Sequence, residues 1–410
     1  MRPTASKEPR LVSRPRTMSS RLSDVRESFW LVPATFSVSA LAAAIGLTAL
    51  ELQLNLPVEG IVPSGPAGAR SLLSSIITAM ISFTALVFSI TVVALQLASS
   101  QYSPRVLRTF LQDRIIQATL GTFVATFLFA MVVLAALPAR DDQRLPELSL
   151  AVSIALVLCS SGTFIYYLHH ITTVMRVSHI IGSIGAQTRR SIARLPPPDE
   201  LPAVFGKVTQ TVPATTPGMV NNTDIALLAR LAREHDCAIS IVPTPGDFVV
   251  AGAPLLRVHQ VAGSTPRPVP TDRAEQCVII SVERTPGQDL GFGFRQLADI
   301  AERALSPAVN DVTTAVRALQ ESHDLLRRLA TRPGPTHTVR DDDGTVRAQV
   351  NGTSYEALLA MTIDDIRLVA SQQPRVRRLL DTVVRDLAAV ALPVHQSAIN
   401  RRLSQSGNSH

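Results

Sequence analysis

The stretch SLLSSIITAMISFTALVFSITVVALQLASS, Ser71 to Ser100, decides the architecture. It runs without a single Lys, Arg, Asp or Glu. As a helix rising 1.5 Å per residue it reaches about 45 Å, more than the ~30 Å of a bilayer's hydrocarbon. It therefore reads as a transmembrane helix, spanning from about Leu72 to Ala98, that tilts or projects beyond the hydrocarbon.

Three further runs meet the same length and polarity test: about Phe29 to Leu50, Ile115 to Leu137, and Leu148 to Leu168. The first is longer than a signal-peptide core and follows 28 residues, so it is expected to stay as an anchor. The expected fold class is a membrane α-helical domain of four transmembrane helices followed by a cytoplasmic α+β C-terminal region.

Charge sets the expected orientation. The chain carries +7 over 410 residues, which invites a nucleic-acid reading. The basic residues are placed otherwise. Arg2, Lys7, Arg10, Arg14, Arg16, Arg21 and Arg26 crowd ahead of the first run, where cations hold a helix end in the cytoplasm. Arg105, Arg108 and Arg114 fall between runs two and three, and Arg176, Arg189, Arg190 and Arg194 follow run four. The alternate loops hold only Arg70, and Arg140 and Arg144 offset by Asp141, Asp142 and Glu147. Both termini are thus expected in the cytoplasm, with no nucleic-acid partner. Pro104 starts a short amphipathic segment from which Arg105, Arg108 and Arg114 can meet lipid phosphates. Trp30, Tyr166 and Tyr167 fall near span ends, as interfacial aromatics do.

The second span is rich in hydroxyls. Ser75, Thr78, Ser82, Ser89 and Gln96 recur at helical spacing, and Ala85 fills the gap between Ser82 and Ser89. Two readings stand. Small and hydroxylated residues let membrane helices approach and bond. The same stripe can line a polar pathway in an oligomer.

Beyond run four, Thr172 to Leu195 reads as a helix leaving the membrane, with His169, His170 and His179 along it. Pro196, Pro197 and Pro198 mark a boundary. The chain is expected to divide into a basic tail (1–28), the spans (29–170), a linker helix (171–202), a β-rich module (203–283), a helical domain (284–402) and a disordered tail (403–410). Within the module, Asp224 caps a helix over Ile225 to Glu234. Pro245 to Leu255 is a turn, a strand and another turn, and resembles hairpins of biotinyl/lipoyl-like modules, with no lysine at the turn to carry a cofactor. Thr331 to Gly352 is a loop or hairpin.

Familiar chemistries are not legible. Cys159, Cys237 and Cys277 form no CxxC pair or Cys/His cluster, so no metal site and no cofactor are expected. There is no GxxxxGK[ST], GxSxG or HExxH, and no catalytic residue is assigned. Asp341-Asp342-Asp343-Gly344 puts Val339 and Val350 at the first and twelfth positions of a calcium loop, where oxygen ligands are required.

One polar cluster stands out in the C-terminal region: Arg295, Gln296, Asp299, Ser306, Asn310 and Asp311. Arg295 and Asp299 lie at i and i+4 and can pair. Asn310 or Asp311 can cap a helix from Val312 to Ala330. The cluster is either a small-ligand, ion or subunit site, or a capping and salt-bridge network that shapes the domain.

Two long runs carry a resemblance. Ser89 to Arg105, SITVVALQLASSQYSPR, and Phe294 to Asp311, FRQLADIAERALSPAVND, are similar to the hallmarks of a bacterial family of predicted membrane proteins, domain of unknown function 2254. Val312 follows Asp311 where that family's pattern has Pro. The resemblance implies a bacterial inner-membrane protein and implies no activity. The expected partners are the lipid bilayer and further copies of the same chain. Two functions are carried forward: an oligomeric channel- or transporter-like protein with a cytoplasmic regulatory domain, and a membrane-anchored sensor or scaffold.

Overall fold

A computed structural model describes residues 29–54, 65–101, 113–138, 145–195, 205–285 and 287–407. The chain forms two compact units, one ending at Thr173, whose described residues form four helices, and one beginning at Val174.

The first unit contains α1 (Leu31–Leu54), α2 (Gly65–Gln101), α3 (Arg114–Ala136) and α4 (Glu147–Val174). All four are long and apolar enough to cross a membrane. Helix α3 is central: half of its apolar window is buried, against about a fifth for each of the others. It lies tightly against α1 because Gly121 has no side chain. A Cβ there would sit 3.1 Å from the Phe36 Cβ and 3.3 Å from the Pro33 Cα. Phe83, Phe123 and Phe164 bring α2, α3 and α4 together, with ring centroids 5.2 to 6.4 Å apart. Polar bonds pin the bundle where apolar packing alone would let helices slide. Thr126 and Ser160 join α3 to α4 at 2.9 Å, and Thr91 and Tyr167 join α2 to α4 at 2.8 Å.

Tyr167 therefore differs from its sequence reading. It is fully buried against Thr91, seven residues before α4 ends, while Trp30 and Tyr166 are exposed. The helix that leaves run four is also not continuous. It stops at Val174, and Arg176 is extended at φ −70°, ψ 128° before α5 (Val177–Ala193) begins.

In the C-terminal unit α5 is amphipathic and buries Ile180, Ile181, Ile184, Gly185, Thr188 and Ile192. Then follow β1 (Val208–Pro213), β2 (Gly218–Thr223), α6 (Ile225–Glu234), β3 (Cys237–Ile241), β4 (Phe248–Val249), β5 (Pro254–Gln260), α7 (Thr271–Gln276) and β6 (Val278–Ser281). After them come α8 (Leu290–Ala304), α9 (Val312–Ala330), β7 (Thr336–Arg340) and β8 (Val346–Asn351). The chain closes with α10 (Tyr355–Leu359), a π-helical turn (Ala360–Asp364), α11 (Asp365–Val369), α12 (Pro374–Val390) and α13 (Pro393–Gly407).

Five strands form one sheet in the order β1-β5-β3-β8-β7, and β4-β2-β6 form a second. All pairs are antiparallel except β3 with β8, where Ile239 faces Ala348. Leu228, Leu231, Ile239, Ile241, Leu256 and Val258 fill the core between sheet and α6. The sheet thus extends past residue 283 and takes in the hairpin over 336–351. Asp341, in the turn of that hairpin, pairs with Arg233 and Arg347, and Gly344 takes the left-handed φ of 83° that closes it. Helix α13 carries ordered structure past Arg402 as far as Gly407.

Candidate functional site

The stripe on α2 sits on the side of the helix that its own bundle does not use. Ser75, Thr78, Ser82, Ser89 and Gln96 are all exposed. The buried residues of α2 are Leu73, Ile76, Met80, Val87, Thr91 and Ala94 among others. At about 100° per residue the two sets centre roughly 180° apart. Ile81, Phe88, Leu86 and Val93 are exposed on the flanks of the stripe, so it is a polar seam in an apolar surface.

The hydroxyls are partly satisfied within the helix. Ser75 donates to the Ser71 carbonyl at 2.9 Å, Thr78 to Ser74 at 2.9 Å and Ser82 to Thr78 at 3.0 Å. Such bonds let a hydroxyl sit in hydrocarbon while leaving lone pairs free to accept. Gln96 lies one residue before the end of the apolar span at Leu97.

Of the three arginines expected at lipid phosphates, Arg114 is exposed at the first position of α3, next to the N-cap Asp113. Arg105 and Arg108 lie outside the described residues. Asp113 accepts from the Ile115 N–H at 2.8 Å and lies 2.7 Å from His170 Nε2. At the other end of the bundle, Glu51 caps α4. Its carboxylate accepts from the Leu148 and Ser149 N–H groups at 2.7 and 3.1 Å and from Ser149 Oγ at 2.9 Å. A carboxylate at a helix N-terminus meets both the free N–H groups and the positive end of the dipole.

The six-residue cluster of the C-terminal unit separates into three places. Arg295 and Asp299 pair as their spacing predicts, at 2.7 Å. Arg295 also reaches Glu302 at 3.0 Å and Asp365 at 3.2 Å, so one guanidinium holds three carboxylates. Burial lowers the pKa of Arg295, but the carboxylates outweigh it and hold the proton more firmly. Burial likewise lifts Glu302 above the usual carboxylate range, opposed by Arg295.

Gln296 turns the other way, toward α5. With Gln187, Thr188, Ser191 and Asp289 it lines a small space no larger than one water molecule. Ser306, Asn310 and Asp311 shape the corner between α8 and α9. Ser306 donates to the Arg303 carbonyl, Asn310 takes a left-handed φ of 47°, and Asp311 caps α9 by accepting from the Thr314 N–H at 3.0 Å.

Several charged partners lie outside the six residues that the sequence singled out. Glu302 stands seven residues from Arg295, a helical spacing that could have shown it. Asp365 is separated by 70 residues and only the fold delivers it. Next to it, Asp364 holds the buried Arg402 through two bonds of 2.9 and 2.6 Å. The π-helical turn places these two adjacent acids so that one serves α8 and the other α13. Arg189 of α5 meets Glu321 and Asp324 of α9 at 2.5 and 2.8 Å. Among the described residues no three His, Cys, Asp or Glu side chains converge as metal ligands would.

Four apolar helices followed by a mixed-sheet α+β unit define a multi-span membrane protein. The chain belongs to the family described as Predicted membrane protein (DUF2254), which matches residues 26–386. It is similar to uncharacterized proteins of Mycobacterium bovis and Mycobacterium tuberculosis. Each is 31% identical over 376 residues, covering 88% of this chain and 71% of the relative. No solved structure matches.

Proposed function

We propose that this protein works as a homo-oligomer in a bacterial membrane, with α2 of each copy turned toward its neighbours and its hydroxyl seam lining a polar, channel- or transporter-like path. The observation that carries this reading is the orientation of α2. Its polar seam faces directly away from the residues it buries in its own bundle. The hydroxyls of Ser75 and Ser82 have accepting lone pairs that water in a path or a partner helix can use and lipid cannot. In this reading both termini and the C-terminal unit are cytoplasmic, by the distribution of basic residues, and the C-terminal unit regulates the path.

The sensor or scaffold reading has less support. The guanidinium on which it depends, Arg295, is already engaged by three carboxylates of its own chain.

Ion flux through the purified protein in liposomes tests the proposal. Ser82→Leu places a bulky apolar group on the seam without touching the buried face, and it is expected to reduce flux at least about tenfold if the seam is wet. Equal flux in parent and variant, or no flux under voltage, tension and pH steps, refutes it.

A further inference from the structure

The Ser306–Asp311 segment, part of one of the two long runs singled out in the sequence, has an unexplained surface. It is held rigidly by the Asn310 and Asp311 N–H groups donating to the Ser306 and Ala304 carbonyls at 2.9 and 2.7 Å. Yet Val309 is exposed at its tip. A bond of 3.0 Å from Gln373 Nε2 to Asn310 Oδ1 ties this corner to the one between α11 and α12. There Leu368 is 78% exposed and Val369 is also exposed, and Arg375 and Arg378 follow on α12.

Contacts within the C-terminal unit place these two corners along it. Helices α5 and α9 run in step: Gly185 lies against the Glu321 side chain, and Arg189, one turn on, pairs with Asp324. Counting nine residues back, about 13.5 Å, leads from Glu321 to Val312, the first residue of α9. The same count leads from Gly185 to Arg176, two residues after Val174. The corner therefore lies level with the point where the chain enters this unit from the last apolar helix.

The charge at the corner is net positive. Asp365 pairs with Arg295 and Asp381 with Arg367, while Asp311 bonds to the uncharged Thr314 and keeps its negative charge, one carboxylate against two arginines. Among the described residues neither Arg375 nor Arg378 faces a carboxylate. Exposed apolar side chains beside uncompensated arginines are the chemistry of an interfacial contact with anionic lipid. A second copy meeting the same corner would set arginine against arginine.

We propose that this double corner is a membrane contact of the C-terminal unit, with Val309, Leu368 and Val369 entering the headgroup layer and Arg375 and Arg378 pairing with phosphates of anionic lipids. The inference is independent of the polar path on α2.

The full chain in lipid nanodiscs provides the test. In a Cys159→Ser background, in which Cys237 and Cys277 are buried, a fluorophore is placed on Ser371→Cys at the corner. A second preparation carries it on Asp343→Cys, in the β7–β8 turn. Headgroup-level spin-labelled lipid is the quencher, in phosphatidylcholine with and without phosphatidylglycerol. The corner label is expected to be quenched at least about twofold more than the turn label, more strongly with phosphatidylglycerol, and the excess is expected to vanish in Arg375→Glu/Arg378→Glu. Equal quenching of the two labels overturns the proposal without Arg375→Glu/Arg378→Glu having to fold. Quenching indifferent to both lipid charge and the double substitution overturns the arginine–phosphate pairing. Proximity between labels on two copies without lipid quenching makes the corner a protein–protein contact and overturns it as well.

Discussion

Removing Arg295 should loosen α8 in a way that depends on pH. Arg295→Ala removes the guanidinium that Asp299, Glu302 and Asp365 share. The three lost contacts are 2.7, 3.0 and 3.2 Å long, and Arg295 keeps a quarter of its surface in water. Each charged hydrogen bond is worth about 1.5–3 kcal/mol when shielded, and far less where solvent screens it, as it does at the half-exposed Asp365. The expected loss is about 2–4 kcal/mol, because stranding carboxylates costs more than the pairs contribute.

The sign of the pH effect follows from the protons bound. Without Arg295 the carboxyls of the folded state sit above their unfolded values near 4, so the folded state binds more protons than the unfolded one. The deficit is then largest at neutral pH and shrinks as pH falls below the raised folded pKa toward about 4. Hydrogen exchange of peptides covering Leu290–Ala304 in the full-length protein reads the local opening directly. At 1.4 kcal/mol per factor of ten, exchange at pH 7 should speed up about 30- to 700-fold, less at pH 5 after correction for the intrinsic rate. Exchange within about twofold of the parent at pH 7, or a deficit that grows on acidification, would refute the reasoning.

Two further predictions concern single groups. The Tyr355 hydroxyl is buried without a partner among the described residues, so Tyr355→Phe should be neutral or stabilising by up to about 1–3 kcal/mol in urea unfolding; a loss beyond about 1 kcal/mol would mean that the hydroxyl is hydrogen-bonded after all. Gly121→Leu should push α1 off α3 and cost about 1–3 kcal/mol or more, and Trp30, the single tryptophan and the residue just before α1, reports it as an earlier fluorescence transition. An unmoved transition would mean that α1 does not depend on the close approach at Gly121.

Local physics made much of the molecule legible. A run of 30 residues without charge can only satisfy its backbone in hydrocarbon as a helix, so the four spans follow from the sequence. Asp224 and Asp311 each accept from an N–H at the start of α6 and α9, because a short acceptor just before an apolar periodic stretch has one strong use. The Arg295–Asp299 pair was legible for the same reason, since four residues are one turn.

What the sequence could not decide depends on partners far along the chain. Nothing near Val346–Asn351 says that it will pair in parallel with Cys237–Ile241, because such pairing needs a crossover and no local turn marks it. Tyr167 looked interfacial by its position, and the packing of α2 against α4 turned it inward to Thr91. The six polar residues near α8 looked like one cluster because they are close in sequence. A helix spreads neighbouring residues around its axis, so Gln296 went to α5, Arg295 to Asp365, and Asn310 to Gln373. The sequence by itself determined the membrane spans, the helix caps and the hydroxyl periodicity of α2, all set within a few residues. Only the tertiary structure decided that this seam faces outward and which carboxylates surround Arg295, because both are set by which faces the other helices cover.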